Sequence, residues 1–227
     1  MTATKSFHSA MPGAPVLSGT AGALISILDA VLVNGFGLQS VIALTVAGGV
    51  ATATVPATPA AGVDAVILVT GATPSSLNGE HRVTAVGANS VSWATTAADG
   101  AATGTISLKV APAGWVKAFA GTGLAGYKSS SVEGTGCYLR VDDTGTTTAR
   151  VRGFEVMSDA STGSGPFPSA AQFTDGLWWS KSNVASGTAM QWRIHADDRG
   201  FYFFVKNLGA GGEYQGDYFG DILSLKS

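Results

Sequence analysis

Turn-forming residues interrupt this chain every few positions, and that spacing leaves room for short strands but for only one helix. Between residues 41 and 109, the runs at 41–46, 50–55, 65–69, 80–86, 90–93 and 104–109 are rich in Val, Ile and Thr. Each is bounded by Gly, Asn, Pro or Asp, as short strands are. Gly48-Gly49, Asn78-Gly79 and Asp99-Gly100 tolerate positive φ and read as turns between them. Strands packed this densely predict a small antiparallel barrel or sandwich.

The exception is residues 20–33. Leu24, Ile25, Ile27, Leu28, Val31 and Leu32 recur at spacings of three and four, which predicts a helix with one apolar stripe. Thr20 is placed to cap its start and Asn34-Gly35 to stop it, with Ser26 and Asp29 on its wetter side. Before it, Pro12 and Pro15 keep the chain extended. The arm 1–19 is of the kind that orders only on a neighbour.

From about residue 110 the style changes, and aromatic and charged residues become frequent. Residues 137–142 and 149–156 alternate around the turn 143–146, and residues 189–196 and 201–205 form a second such hairpin around 197–200. A last strand is expected over 219–225, after the glycine-rich 209–212. The run 163–168 reads as a rigid loop, and residues 169–173 as one helical turn. A lone helix cannot bury its stripe, so residues 1–38 are expected to pack on the sheet formed by 110–227. The predicted fold is mainly β. One discontinuous antiparallel sandwich or barrel domain spans 1–38 and 110–227 with the N-terminal helix, and a small antiparallel β-barrel module, 41–109, is inserted in it.

Composition narrows the function. The 227 residues are 45% hydrophobic and 12% charged with a formal net charge of -2, far from the low-hydrophobicity, high-charge regime of disordered chains. That charge gives no bulk attraction to phosphate, so nucleic acid is not an expected partner. The single cysteine, Cys137, allows neither an internal disulfide nor a cysteine zinc cluster. Residues 1–8 lack a signal-peptide pattern, and the most apolar stretch, 21–33, contains Asp29 and is too short to cross a bilayer. A soluble protein made in a cytoplasm, without membrane insertion, is expected.

No pattern of catalytic chemistry emerges. Asp142-Asp143 and Asp197-Asp198 occupy equivalent hairpin turns, and Asp217 and Asp221 flank residues 218–220. Converging carboxylates could hold Ca²⁺, but neither turn has the alternating spacing of a calcium loop. Turn capping and cross-strand pairing with Arg140, Arg150, Arg152 and Arg199 account for the same residues. Asp142, Glu155 and Asp159 have no spacing that makes a glycosidase pair. His8, His81 and His195 are scattered, and no G-x-S-x-G elbow exists. The G-x-G-x-x-G at 121–126 is followed by no helix and is not a dinucleotide site. No catalytic, metal or cofactor-binding residue is assigned, and no cofactor is expected.

The aromatic cluster is the better candidate. Phe201 and Phe203 point to one face of their strand and Tyr202 and Phe204 to the other, so both faces need cover. Trp178, Trp179, Trp192, Tyr202 and Phe204 form a candidate subunit interface or, by stacking on sugars, a candidate glycan face.

The middle part resembles the small β modules of tailed-bacteriophage tail proteins that are labelled as like a half-domain of ubiquitin-activating enzymes. The carrying residues are Ala65-Val66-Ile67-Leu68-Val69-Thr70-Gly71, Ser76-Leu77-Asn78-Gly79-Glu80-His81-Arg82-Val83-Thr84-Ala85-Val86 and Ser90-Val91-Ser92-Trp93. The resemblance implies a shape and not ligase chemistry, since this segment has no cysteine. The outer parts are similar to a family of phage and prophage virion proteins. They match through Ser18-Gly19-Thr20-Ala21-Gly22, Leu32-Val33-Asn34-Gly35-Phe36-Gly37, Ala113-Gly114-Trp115, Leu139-Arg140-Val141-Asp142-Asp143-Thr144-Gly145 and Ala196-Asp197-Asp198-Arg199. Some members lack the middle module, in keeping with an insertion.

This resemblance implies a virion protein and carries over neither a role in the particle nor a catalytic residue; the expected function is a non-enzymatic structural component of a tailed-phage virion, in the tail or baseplate region. A capsid decoration protein and a carbohydrate-binding module for host attachment are the alternatives. Its expected partners are copies of itself and other virion proteins, with a host surface glycan under the last alternative. Closed rings or trimers would follow the usual symmetry of such parts.

Overall fold

The structure is a computed structural model that describes residues 4–208 and 213–221, with the side chains of Asn207 and Leu208 left out. The chain is mainly β and divides into two compact units. One comprises Met1–Ser9, Pro15–Val33 and Ala113–Ser227, and the other Ala10–Ala14 and Asn34–Pro112.

The chain starts with strand β1 (Lys5–His8), which pairs with a strand near the other end of the same unit, Lys5 opposite Ala196. Part of the arm is therefore ordered by its own chain. The helix α1 (Ala23–Leu28) runs on into a π-helical turn, Asp29–Asn34. Its stripe of Leu24, Ile27, Leu28, Val31 and Leu32 is fully buried. The expected Thr20 cap is not used: the helix begins after Gly22 (φ 81°), and the Thr20 hydroxyl lies 2.9 Å from Ser18 Oγ instead. A carboxylate from a distant turn takes the capping role. Gly35, with φ 70°, ends the helix in the left-handed region that favours glycine.

The inner unit contains β2 (Phe36–Ser40), β3 (Ala43–Ala47), β4 (Val50–Thr54), β5 (Val66–Thr70), β6 (Gly79–Val86), β7 (Ser90–Ala94), β8 (Gly100–Ala101) and β9 (Ser107–Val110). They form one antiparallel sheet in the order β2-β9-β5-β6-β7-β4-β3-β8. Strand β6 is the corner. Its first half pairs with β5 and its second with β7, with the register shifting between Val83 and Ala85, as a bulge does where a sheet bends. Val83, Val91, Ile67, Val69 and Trp93 are fully buried, and the His81 ring stacks on Trp93 at 5.0 Å. The expected closed barrel is not found: among the described residues no ladder joins β8 to β2, and the sheet stays open. Asn78 is not a plain turn residue either. Its side-chain amide bonds both the N–H and the carbonyl of Ala72 at 2.8 Å and ties off the loop before β6.

The chain returns to the first unit with β10 (Trp115–Gly121), β11 (Leu124–Ser129), β12 (Tyr138–Asp142), β13 (Thr148–Met157), β14 (Gly163–Phe167), β15 (Leu177–Ser180), β16 (Gln191–Ala196), β17 (Gly200–Leu208) and β18 (Glu213–Gly220). Strands β10 to β14 make one antiparallel sheet in sequence order, and β15 also pairs with β13. The second sheet runs β1-β16-β17-β18. Both hairpins expected from the alternation are present, with Tyr138 opposite Phe154 and Trp192 opposite Val205.

The run read as a rigid loop is strand β14, in which Phe167 faces Gly153 across the ladder. Glycine and Pro166 hide it, since proline is admitted at a sheet edge but reads as a breaker. Residues 169–173 do form a single turn, with Phe173 N–H donating to Ser169 O at 2.9 Å. Of the strand expected over 219–225, residues 219 and 220 end β18; residues 222–225, like the glycine-rich 209–212, lie outside the described residues.

The core of this unit lies between its two sheets. Trp115 meets Phe201 edge-on at 5.4 Å, and Trp179 packs on Phe201 at 5.9 Å and on Phe203 at 6.0 Å. Burying a large side chain here contributes about 1.5–3 kcal/mol, so these rings join the layers.

Candidate functional site

Alternation along β17 sends Phe201, Phe203 and Val205 into the core and leaves Tyr202 and Phe204 on the outer face. Tyr202 is 52% exposed. Its ring is stacked along the strand with Phe204 at 6.2 Å and lies 4.7 Å from Tyr218 on β18. His195 on β16 meets Phe204 edge-on, and the exposed Tyr214 lies under the Arg193 guanidinium at 6.0 Å. The outer face of this sheet is thus an aromatic ladder with cationic edges.

The five aromatics singled out from the sequence do not share one surface. Trp179 is 3% exposed and Trp192 1%; both belong to the core, and Trp192 donates its indole N–H to Pro15 O at 3.1 Å. Neither can meet a glycan or a partner. Trp178 faces outward, 57% exposed, with the Arg150 guanidinium 3.7 Å from its ring centroid. It stands on the other sheet. Only Tyr202 and Phe204 are neighbours on an accessible face.

The acidic turns are not equivalent. Asp142 accepts from the N–H and hydroxyl of Thr144, and Asp197 accepts from Arg199 N–H and Gly200 N–H at 2.9 Å, so both cap their own turns. Asp143 instead turns inward. Neither it nor its ion-pair partner Lys181 has any exposed side-chain surface. The other Asp143 oxygen accepts from Ile25 N–H at 3.0 Å and caps the helix. Burial pushes the Asp143 carboxyl up, against the Lys181 ammonium and the helix N–H groups. Sequence pointed to arginines as partners of these turns and missed Lys181. Arg140 lies 3.8 Å from Asp142, Arg150 3.8 Å from Asp175 and Arg199 3.3 Å from Glu133.

Two further buried groups lie near the helix and the sheet edge. Tyr127 donates its hydroxyl to Asp29 at 2.7 Å, and Lys117 pairs with the other Asp29 oxygen at 2.9 Å. Burial, then the Asp29 carboxylate, raises the Tyr127 hydroxyl far above its ordinary value. Asp217 on β18 faces the interior opposite Phe203, and one of its oxygens has no hydrogen-bond partner. Burial alone pushes its carboxyl up to about 6. Among the described residues no group of three His, Cys, Asp or Glu could hold a metal ion.

Between the sheets, beside the core rings, lies a cavity of about 610 Å³. Trp115, Trp179, Phe167, Phe219 and Leu139 supply its apolar wall, and Arg152, Arg199, Asp221 and Cys137 also border it. Nothing local in the sequence signals it, because its walls come from segments between residues 115 and 221.

No helix among the described residues is long and apolar enough to cross a membrane. A scan against protein-family models, a search of curated proteins and a search of solved structures each returned no match.

Proposed function

We propose that this chain is a non-enzymatic structural component of a tailed-phage virion, in the tail or baseplate region, acting through subunit interfaces. The observation that carries the reading is the outer aromatic face of Tyr202, Phe204 and Tyr218. Tyrosine and phenylalanine are enriched where protein surfaces meet, and a ladder of stacked rings buries area at low entropic cost. The sequence resemblance in both the outer and the inner parts supports the same class. A capsid decoration protein would use the same face and differs only in its place on the particle.

The glycan reading loses Trp179 and Trp192, which are core, and keeps Trp178, one side of whose ring Arg150 covers, and the neighbouring pair Tyr202 and Phe204.

Sedimentation velocity tests the interface. The chain is expected to assemble with rising concentration. Tyr202→Glu with Phe204→Glu should leave it monomeric at an unchanged melting temperature. Equal assembly in both proteins would reject this face.

A further inference from the structure

We propose that Lys181 and Asp143 condense in the folded chain into an intramolecular isopeptide bond, which joins the exit of β15 to the turn after β12. The ion pair is the state from which the bond forms. Its two groups are in contact, and neither has any side-chain surface open to the water that would reverse the step. The backbone on both sides is pinned. Asp143 N–H donates to Gly123 O at 2.7 Å, Gly22 N–H to Asp143 O at 2.8 Å and Lys181 N–H to Thr147 O at 2.8 Å. Groups held together in this way react as though at an effective concentration of about 10⁵–10⁸ M.

The hydrogen bonds set out the steps. Burial pushes the Asp143 carboxyl up despite the ammonium beside it, which favours transfer of a proton from Nζ to Oδ1. The other two N–H bonds of the resulting amine are held by Thr20 O at 2.9 Å and Gly145 O at 2.7 Å, so its lone pair is left on the side of the carboxyl. Nζ then bonds to Cγ, and charge gathers on Oδ2, to which Ile25 N–H donates at 3.0 Å. A second proton passes from Nζ to Oδ1, the Cγ–Oδ1 bond breaks and Oδ1 leaves as water. The three protons of the ammonium are thereby shared between that water and the amide, and no oxidant or co-reactant is needed. The product keeps the Ile25 bond on its carbonyl and removes two charges whose burial is costly. Lys117 and Asp29 are also in contact, at 2.9 Å, but their side chains are 24% and 27% exposed. Water reaches that pair, and it is expected to stay ionic. The proposal does not depend on the virion reading, and its failure would leave that reading untouched.

Mass spectrometry tests it on the full chain, folded, held at neutral pH until its mass is constant and then denatured. The chain should be lighter than its sequence by one water molecule. Trypsin should release residues 141–150 joined to 153–193, uncut after Lys181, with fragment ions that place the link on Asp143 and not on Asp142. A chain kept in urea from the start should retain its full mass. Lys181→Arg should retain it as well, which separates the bond from a succinimide at Asp99-Gly100 or Asp175-Gly176, since either would also lose water. Full mass in the folded chain, a link between any other pair, or a water loss that persists in urea or in Lys181→Arg would overturn the proposal. If Lys181→Arg fails to fold, the mass and the linked peptide of the parent chain decide it alone.

Discussion

Lys181 and Asp143 meet at the start of helix α1, with neither side chain open to solvent. The Lys181 ammonium also donates to Thr20 O at 2.9 Å and Gly145 O at 2.7 Å, while Asp143 accepts from Ile25 N–H at 3.0 Å. Three distant stretches of chain are thereby tied at one point: the helix entry, the turn after β12 and the exit of β15. An ion pair so deeply buried is close to neutral as a pair, but each charge is expensive without the other.

Lys181→Met should therefore cost about 3–5 kcal/mol, because it leaves the Asp143 carboxylate buried and uncompensated. Adding Asp143→Asn should recover part of that loss, since the amide oxygen still caps Ile25 N–H without a charge. Urea denaturation of the two variants and the parent measures both. A double variant no more stable than Lys181→Met alone would show that a stranded Asp143 charge is not the source of the loss.

Asp217 makes stability fall with rising pH. Its carboxyl is pushed from the ordinary 3.8 up to about 6 in the folded chain. Between those values the unfolded chain releases a proton that the folded chain keeps, so stability drops across this window and is level above it. Asp217→Asn removes the penalty. The variant should gain on the order of 1 kcal/mol over the parent at pH 7, discounted for the solvent that still reaches the group, and nothing at pH 3. Parallel denaturation curves at both pH values check it, and a difference that does not change with pH would contradict the assignment.

Trp93 is fully buried in the inner unit, stacked under His81. Trp93→Ala should cost that unit about 3–5 kcal/mol. Because the chain divides into two compact units, near-ultraviolet signals from Trp115, Trp179 and Trp192 should survive the change. Calorimetry should show one transition moving down and a second staying in place. A single transition that shifts as a whole would mean that the units unfold together.

Sequence exposed what is local and periodic. The stripe from Leu24 to Leu32 and the two hairpins with Asp-rich turns follow from spacing alone, and so does the opposed facing of Phe203 and Tyr202. What it hid is set by distant partners. Asp142-Asp143 and Asp197-Asp198 look alike, yet Asp143 turns inward because Lys181, 38 positions away, meets it there. Alternation says that Trp178 and Trp179 point apart, but only the packing of Phe201 and Phe203 decides that Trp179 is inside. Strand β14 was masked by glycine and proline. The open sheet of the inner unit depends on how its edge strands pair, which residue composition does not encode.

The most direct test of the central claim is gold labelling of intact phage particles with an antibody against residues 41–109. Label confined to the tail, at its tip or neck, is the predicted result. Label spread over the head would replace the tail assignment with capsid decoration. Particles without label, from a lysate in which the chain is expressed, would contradict a virion role altogether.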